Sequence, residues 1–307
     1  MRTAYITHPD CLRHEMGAYH PESPHRLNAI EDRLVAQGVM DLLRYRQAPA
    51  VTREQLLRVH DASYIDSIEA QAPDAGLIHL DPDTAMNPYS LSAARHAAGA
   101  SVLAVDLVLG GEMETAFCAV RPPGHHAERD RAMGFCLFNN VAVGAAHALE
   151  AHGLERVAIC DFDVHHGNGT ENIFSGDERV LFCSSFQHPF YPFTGTEDSA
   201  PNVIHVPLRA GTDSAGFREA VERHWLPALE HFRPQLILIS AGFDGHLEDD
   251  MGGLSLLDED YAWVTARITE VAERHAERRV VSTLEGGYVL DPLARSAVAH
   301  IKALMGI

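Results

Sequence analysis

Short apolar runs alternate with amphipathic stretches along most of the chain. Apolar runs rich in β-branched residues and flanked by glycine or proline predict strands at 3–6, 116–120, 157–162, 180–183, 203–206, 236–240 and 280–284. Apolar residues three and four apart predict helices at 25–37, 91–109, 141–152, 215–232, 259–277 and 292–304. This alternation is typical of a parallel sheet with helices on both faces. We therefore predict a three-layer α/β fold built on an open, mostly parallel sheet.

The helix predicted at 259–277 has a start signal. Tyr261, Val264, Ile268 and Val271 form an apolar stripe, and Asp258 stands before it. Aspartate is a favoured N-cap residue because its carboxylate accepts hydrogen bonds from the free N–H groups of the first turn. We expect Asp258 to cap this helix.

Nothing along the sequence marks a domain boundary. The 307 residues contain no internal repeat, low-complexity tract or Ser/Gly-rich linker. Since α/β folds of this size often form one unit, we expect a single domain spanning residues 1–307.

The charge balance is strongly acidic, with 43 acidic and 24 basic residues and a net charge of −19 at pH 7. Such a surface repels nucleic-acid phosphates and attracts cationic ligands, so we expect no nucleic-acid partner.

Cysteine usage and hydropathy bear on location. The five cysteines are scattered and contain no Cys-x-x-Cys pair, which favours reduced, buried thiols over disulfides. No uninterrupted apolar run reaches the roughly 18 residues of a membrane span, and the amino terminus lacks the apolar segment of a signal peptide. We expect a cytoplasmic protein with no membrane partner.

Polar clusters follow four of the predicted strands. Ligands of open parallel sheets bind outside the carboxyl ends of the strands, so these clusters are expected to meet in one crevice. They are Arg121-Pro-Pro-Gly-His-His126, Asp161-Phe-Asp-Val-His165, Ala241-Gly-Phe-Asp-Gly-His246 and Glu285-Gly-Gly-Tyr288.

The second cluster has the spacing of a metal site. Asp161, Asp163 and His165 alternate along the end of one strand and therefore share a face. Buried carboxylates without a counter-charge are strongly destabilising, and a divalent cation removes that penalty. Asp163, His165 and Asp244 offer a nitrogen and carboxylate oxygens, which suit zinc and leave a position open for water and a carbonyl oxygen. We predict one catalytic zinc ion at these three residues.

The remaining side chains of the clusters fit a hydrolytic centre. His125 or His126 can take the proton of the water and deliver one to the leaving amine. Tyr288 can donate a hydrogen bond to the developing oxyanion, and Asp161 can fix the tautomer of a neighbouring imidazole. Each cluster alone also fits a turn, a helix cap or a solvated surface, but their joint occurrence at four strand ends favours catalysis.

These segments resemble the zinc-dependent histone deacetylase superfamily, which also holds bacterial histone deacetylase-like amidohydrolases and acetylpolyamine amidohydrolases. The likeness covers essentially the whole chain and is of the class II type. Besides the clusters above, it is carried by His20-Pro-Glu-Ser-Pro-His-Arg-Leu27, Gly134-Phe-Cys-Leu-Phe-Asn139 and the extension His166-Gly-Asn-Gly-Thr170. The resemblance implies an arginase-like α/β domain, the zinc ligands given above, and His126 as the main general base and acid.

The resemblance also implies roles for the residues around the zinc. Asp161 would pair with His125, and Asn168 would stand behind His126, where class I members have an aspartate. An amide does not stabilise an imidazolium by charge, so His126 should be the more easily neutral histidine. The implied substrate-binding residues are a rim carboxylate, two aromatic walls, a residue at the mouth and a glycine beside the first wall: Asp83, Phe135, Tyr191, Met251 and Gly134.

A structural potassium ion is implied as well. Its ligands would be main-chain oxygens of Asp161, Asp163 and His165, with Ser184 or Ser185. A second potassium ion would use the carbonyl groups near Phe174, Asp177 and Val180.

We therefore predict hydrolysis of the N-acetyl amide of a lysine side chain, giving acetate and a free amine. The alternative is an acetylpolyamine amidohydrolase. Met251 stands where such enzymes carry an acidic gatekeeper, whereas Glu248, Asp249 and Asp250 would attract a dication.

Two further hypotheses are weaker. A ureohydrolase with two manganese ions would need further aspartates where Asn168, Gly245 and His246 stand. A binding scaffold without catalysis finds no support, because the predicted ligands, base and tyrosine are all present.

Overall fold

The computed structural model describes residues 2–197 and 199–307. Within this range the strands, in chain order, are β1 (Thr3–Thr7), β2 (Arg44–Gln47), β3 (Ile78–His79), β4 (Ala85–Met86), β5 (Thr115–Cys118), β6 (Val157–Asp161), β7 (Val180–Gln187), β8 (Val203–Leu208), β9 (Leu236–Ala241) and β10 (Val280–Leu284).

The α-helices in the same range are α1 (His25–Ala36), α2 (Arg53–Leu56), α3 (Ala62–Gln71), α4 (Ser90–Leu109), α5 (Asn140–Glu150), α6 (Asn168–Phe174), α7 (Ser214–Ala220), α8 (Leu226–Phe232), α9 (Asp258–His275) and α10 (Leu290–Met305). Short 3₁₀ turns lie at Pro9–Leu12 and Met40–Leu42.

Eight strands form one sheet in the order β2-β1-β5-β10-β9-β6-β7-β8, while β3 and β4 form a separate antiparallel pair. Every neighbouring pair in the large sheet is parallel. Helices α1, α10 and α9 pack in a row, α4 packs on α5, and these groups cover the two faces of the sheet. The predicted α/β architecture is confirmed.

Burial explains which strands the sequence predicts. Strands β1, β5, β6, β7, β9 and β10 are buried at every residue because helices cover both of their sides. Strands buried in this way are near-continuous apolar runs. Edge strand β2 is mostly exposed, and its sequence Arg-Tyr-Arg-Gln carries no such signal.

Two helix predictions need correction. The helix predicted at 215–232 consists of α7 and α8 joined by a π turn at Val221–Trp225. The N-cap of α9 is Leu257, because Asp258 is already helical and its carboxylate accepts hydrogen bonds from Arg295 and Ser296. The carboxylate of Asp260 supports the helix start instead, since its Oδ2 accepts a hydrogen bond from the N–H of the N-cap residue Leu257 at 2.9 Å.

Helix α4 is long and apolar enough to cross a membrane by length and composition. However, 67% of its apolar window is buried inside the protein, where it packs on α5 and on strands of the sheet. Helix α4 is therefore a buried helix of the protein core.

The four strands followed by polar clusters are neighbours in the sheet, in the order β5-β10-β9-β6. Their carboxyl ends therefore lie side by side at the middle of one sheet edge, and the loops that follow them bring the predicted side chains together.

Candidate active site

The three predicted zinc ligands converge at this edge. His165 Nδ1 lies 3.0 Å from Asp163 Oδ1 and 3.3 Å from Asp244 Oδ2. All three side chains are buried, and one ligand atom from each lies within 4.8 Å of the other two. The loop after β6 supplies Asp163 and His165, and the loop after β9 supplies Asp244.

Main-chain amides orient both carboxylates. Asp163 Oδ1 accepts from the His165 N–H and Asp163 Oδ2 from the Gly286 N–H. Asp244 Oδ1 accepts from the Val164 N–H at 3.0 Å, but its Oδ2 is buried with no hydrogen-bond partner among the described residues. An unpartnered buried carboxylate oxygen, aimed at a second carboxylate and an imidazole, fits a position for a metal ligand.

The pKa values of the cluster express the same crowding of negative charge. Burial and the neighbouring Asp163 raise the pKa of Asp244 to about 6. Burial works against the charged form of His165, yet Asp163 and Asp244 raise its pKa to about 9. A divalent cation would relieve the repulsion between the two carboxylates.

Three other groups in the described part of the chain have metal-ligand composition: His8, Asp10 and His96; Asp106, His147 and His152; and His166, Glu171 and His205. Each of them includes partly or fully exposed residues, whereas Asp163, His165 and Asp244 are all buried. In the second group, Arg58 donates to His147 Nδ1, which leaves the proton of a neutral imidazole on Nε2 and directs it to Asp106. That group is therefore satisfied without a metal.

The tandem histidines have different partners. His125 Nδ1 donates to Asp161 Oδ2 at 2.9 Å, and His126 Nδ1 donates to Asn168 Oδ1 at 2.7 Å. The amide of Asn168 is oriented by Glu128 Oε1, which accepts from its Nδ2 at 2.7 Å. Both rings are buried, and their centroids lie 4.0 Å apart.

These partners separate the two pKa values. Burial opposes protonation of His125, but the charges of Asp161 and Asp163 outweigh it and raise the pKa to about 10. Burial and the positive charges of His125 and His165 hold the pKa of His126 well below its usual value. His126 is therefore neutral at pH 7, with its proton on Nδ1 and Nε2 free to accept another.

Tyr288 follows β10, and its main-chain N–H donates to Asp249 Oδ2 at 2.6 Å. The Arg26 guanidinium lies 5.0 Å from the Tyr288 ring centroid and donates to the carbonyl oxygens of Glu285 and Gly287. Burial and the nearby Asp244 raise the pKa of the Tyr288 hydroxyl well above its usual value, so the group remains a donor.

A cavity of about 290 Å³ lies beside the Asp163–His165–Asp244 cluster and reaches it at His165. It is lined by His126, His165 and Tyr288 together with all five predicted substrate-binding residues, Asp83, Gly134, Phe135, Tyr191 and Met251. Gly134 has a positive φ of +57°, and a Cβ there would lie 2.4 Å from the His126 ring. A side chain at this position would displace His126.

Phe190 and Asp250 also line the cavity; Phe190 was not predicted, and Asp250 was named only as one of three acidic residues that would attract a dication. The Phe190 ring stacks on His165 with 5.3 Å between centroids and 19° between planes. Adjacent aromatics at 190–191 were the available signal, but sequence does not show that both face the cavity. No role was predicted for Glu285, although it opens the fourth polar cluster; its buried carboxylate accepts from the main-chain N–H groups of Gly124 and His125.

The two expected potassium sites differ in their fit. Ser185 Oγ is buried without a hydrogen-bond partner in the described part of the chain, which fits a cation ligand beside the main chain of β6. At the second site, Asn202 Nδ2 already donates to the carbonyl oxygens of Phe174, Asp177 and Val180 at 2.8, 3.2 and 2.9 Å. These three carbonyls do not fit a second potassium ion, because the amide nitrogen occupies their centre.

The parallel sheet and the buried Asp-His-Asp cluster at its carboxyl edge define an arginase/deacetylase-like α/β protein. The histone deacetylase domain family matches residues 20–304. The chain is 38% identical to a histone deacetylase-like amidohydrolase of Pseudomonas aeruginosa, over 100% of this chain and 87% of that protein. It is 34% identical to the polyamine deacetylase HDAC10 of Homo sapiens, over 100% of this chain and 48% of that protein.

Among solved structures, the HDA15 HD domain superposes with a TM-score of 0.93 at 35% identity, covering 99% of this chain and 90% of that one. The chain belongs to the histone deacetylase family.

Proposed function

We propose that this protein is a zinc-dependent amidohydrolase that removes acetyl groups from lysine side chains, giving acetate and a free amine. The observation that carries the proposal is the buried Asp163–His165–Asp244 cluster, whose His165 lines a cavity together with His126 and Tyr288. In this proposal residues 1–307 act as one catalytic unit in the cytoplasm, where the five free and buried cysteines stay reduced.

Asp163, His165 and Asp244 would hold the zinc through two carboxylates and His165 Nδ1. Bound there, zinc supplies a Lewis acid that polarises the amide carbonyl and lowers the pKa of a water molecule. The unpartnered Asp244 Oδ2 and the short contacts around His165 support this assignment.

His126 acts as the base in this proposal. It is neutral, it lines the cavity, and its Nδ1–H is held by Asn168, so Nε2 can accept a proton from the attacking water. The same nitrogen then returns the proton to the amine as the amide bond breaks. His125 keeps its proton because Asp161 accepts from it, and it adds a fixed positive charge below the reacting atoms.

Tyr288 donates a hydrogen bond from its hydroxyl group to the oxygen that becomes negative in the tetrahedral state. Its raised pKa keeps it protonated, and it lines the same cavity as His126 and His165. A donor of this kind contributes roughly 3–4 kcal/mol in comparable sites.

The walls suit a straight apolar stem ending in a small acyl group. Phe135, Phe190 and Tyr191 present aromatic faces, and Met251 with Gly134 completes the lining. Thr84 Oγ1 accepts from the Phe135 N–H and donates to Asp83 Oδ1, which ties the carboxylate at the rim to the aromatic wall. Asp83 can then accept hydrogen bonds from the main chain of a peptide substrate.

We also assign one structural potassium ion to the carbonyl oxygens of Asp161, Asp163 and His165 with Ser184 or Ser185. The orphaned Ser185 hydroxyl supports it. Ser184 Oγ is hydrogen-bonded to His166 Nδ1 at 3.0 Å, so Ser185 is the stronger side-chain candidate.

An acetylpolyamine is the alternative substrate, and one observation favours it. Of the three acidic residues 248–250, Asp250 lines the cavity, whereas Glu248 pairs with Arg295 and Asp249 is buried. A carboxylate at the mouth would attract the distal ammonium group of an acetylated diamine.

The test is acetate release by the zinc-loaded protein from an acetyl-lysine peptide and from N-acetylputrescine. We expect His126→Ala to lower kcat by about 100- to 10,000-fold and Tyr288→Phe by about 100- to 1,000-fold. Tyr45→Phe on the exposed strand β2 and His231→Ala on the surface of α8 are matched controls that should retain wild-type turnover.

The outcomes separate the hypotheses. A higher kcat/KM for the peptide supports the lysine deacetylase. A higher kcat/KM for N-acetylputrescine that drops selectively in Asp250→Asn supports the polyamine enzyme. Background turnover with the wild type, equal to that of Tyr288→Phe, would establish a scaffold without catalysis.

A further inference from the structure

The carboxylate of Asp249 holds two separate parts of the cavity wall. Its Oδ2 accepts from the main-chain N–H groups of Tyr288 at 2.6 Å and Val289 at 3.1 Å. Its Oδ1 accepts from the Met251 N–H at 3.0 Å. Tyr288 and Met251 both line the cavity, one as the proposed oxyanion donor and the other at the mouth.

This carboxylate has an uncommon environment. Asp249 is only 4% exposed, and no arginine, lysine or histidine within the described residues lies at ion-pair distance from it. Three main-chain N–H groups, instead of a cation, donate to its oxygens. Such a bond set is directional, so it fixes where the two main-chain segments lie as well as satisfying the carboxylate.

Tyr288 depends on this anchor because the chain before it is intrinsically pliable. Gly286 and Gly287 precede it, and Gly287 has a φ of +110°, which glycine adopts without strain. The direction of the Tyr288 side chain follows from the main chain at 288, whose N–H is bound to Asp249. The mouth turn 247–251 and the loop after β10 are thereby joined through one side chain.

We propose that Asp249 is a positioning residue that sets the Tyr288 hydroxyl and the Met251 side of the mouth as one unit. The inference rests on the proposed function of Tyr288. Asp249 itself touches neither the cavity nor the proposed zinc ligands through its side chain; it acts through the main chain of the residues that do.

The test is a double-mutant cycle between Asp249→Asn and Tyr288→Phe. Asparagine keeps the size of the side chain but leaves one acceptor oxygen, so the N–H groups at one end lose their partner. In the wild-type background we expect kcat to fall by about 10- to 100-fold, since a displacement on the order of 1 Å at a catalytic group has an effect of this size. In the Tyr288→Phe background we expect no further fall, because the group being positioned is already absent.

Zinc content and thermal unfolding are measured for each protein, and the zinc content of the two single variants and the double variant should match that of the wild type. Glu248→Gln is the matched control: it lies in the same turn, but its carboxylate contacts Arg295 on the surface, and kcat should be unchanged. If Asp249→Asn does not fold, Asp249→Glu keeps the charge, displaces it by one methylene group and enters the same cycle.

The outcomes are distinct from those of the proposed function. Equal losses of kcat in both backgrounds, or no loss in either, would overturn the positioning role while leaving the deacetylase intact. Absence of zinc-dependent turnover in the wild type itself would overturn the proposed function, and with it the assigned role of Tyr288.

Discussion

At the scale of single residues, Asp244 Oδ2 is the proposed zinc-ligand atom that lacks a hydrogen-bond partner among the described residues. It is buried and unpartnered in the described part of the chain, and burial together with the neighbouring Asp163 raises the pKa of the Asp244 carboxyl to about 6. The amide of asparagine would keep the bond from Val164 N–H while removing the charge.

We predict that Asp244→Asn lowers zinc affinity by more than the roughly 10- to 100-fold caused by losing a group that merely supports a ligand. Zinc should raise the melting temperature of the wild type, since it binds the folded state, and raise that of the variant far less. Metal analysis and thermal unfolding in a zinc titration measure both effects. Tyr288→Phe is the control that retains zinc, and undiminished zinc binding by Asp244→Asn would contradict the ligand assignment.

At the scale of elements, the start of α9 shows how a local rule can select the wrong residue. Asp258 has the right identity for a cap, but Asp260 makes the bond, and its carboxylate also accepts from Ser214 and Arg218 of α7. Both aspartates fit the sequence pattern of a helix start. The tertiary contact with α7 and α10 decides between them.

We expect Asp260→Ala to lower the free energy of unfolding by about 2 kcal/mol, because it removes a cap and takes away the buried acceptor of three partly buried donors. The side chain of Glu259, one residue earlier, makes no such bond to any residue that the structure describes, so Glu259→Ala should change stability by less than about 0.5 kcal/mol. Urea denaturation of both variants checks this. Equal losses in the two would mean that only the charge near the helix start matters.

The segment between α6 and β7 supplies a second prediction at this scale. Asn202 binds three carbonyl oxygens through Nδ2, and its Oδ1 accepts from the Gly176 N–H at 2.9 Å, which fixes the orientation of the amide. In Asn202→Ala the three carbonyls lose their donor, and a monovalent cation can take its place.

Thallium ions, which replace potassium and scatter strongly, should therefore appear among the carbonyls of residues 174, 177 and 180 in crystals of Asn202→Ala and be absent there in the wild type. The melting temperature of the variant should also rise more with KCl than with choline chloride, relative to the wild type. Thallium at these carbonyls in wild-type crystals, with Asn202 swung away, would refute the assignment.

At the scale of the whole molecule, buried neutral histidines couple stability to pH. Burial lowers the pKa of His60 to about 4 and that of His300 to about 3. His300 is hydrogen-bonded to Thr265 and Ser282, and His60 to Glu128 and Asn139. Below about pH 6.5 the unfolded chain binds protons that the folded protein does not, so stability falls as the pH falls.

We predict that the free energy of unfolding decreases from about pH 6.5 towards pH 4. His300→Gln should reduce the slope of this free energy against pH by about 1.4 kcal/mol per pH unit, which is the contribution of one proton. Denaturation at a series of pH values gives the slopes. His231→Gln, on the exposed surface of α8, is the control that should leave the slope unchanged. The same slope in His300→Gln and wild type would show that His300 is protonated in the folded state.

Much of this protein was determined by local sequence. Strands buried on both faces are mostly apolar, so β5, β6, β9 and β10 were predicted close to their bounds. The spacing of Asp163 and His165 predicted that they lie together, and they do, but for a different reason: β6 ends at Asp161, and the turn that follows it brings His165 Nδ1 to 3.0 Å from Asp163 Oδ1.

Only the tertiary structure decided the cavity wall and its supports. Phe190 and Asp250 line the cavity. Asp249 accepts from a main-chain N–H group 39 positions away, and Asn202 donates to carbonyl oxygens 22 to 28 positions away. These contacts join loops from different strands, and their geometry follows from how the strands are ordered in the sheet. Periodicity records which face a residue is on, whereas it holds no information about which distant loop that face will meet.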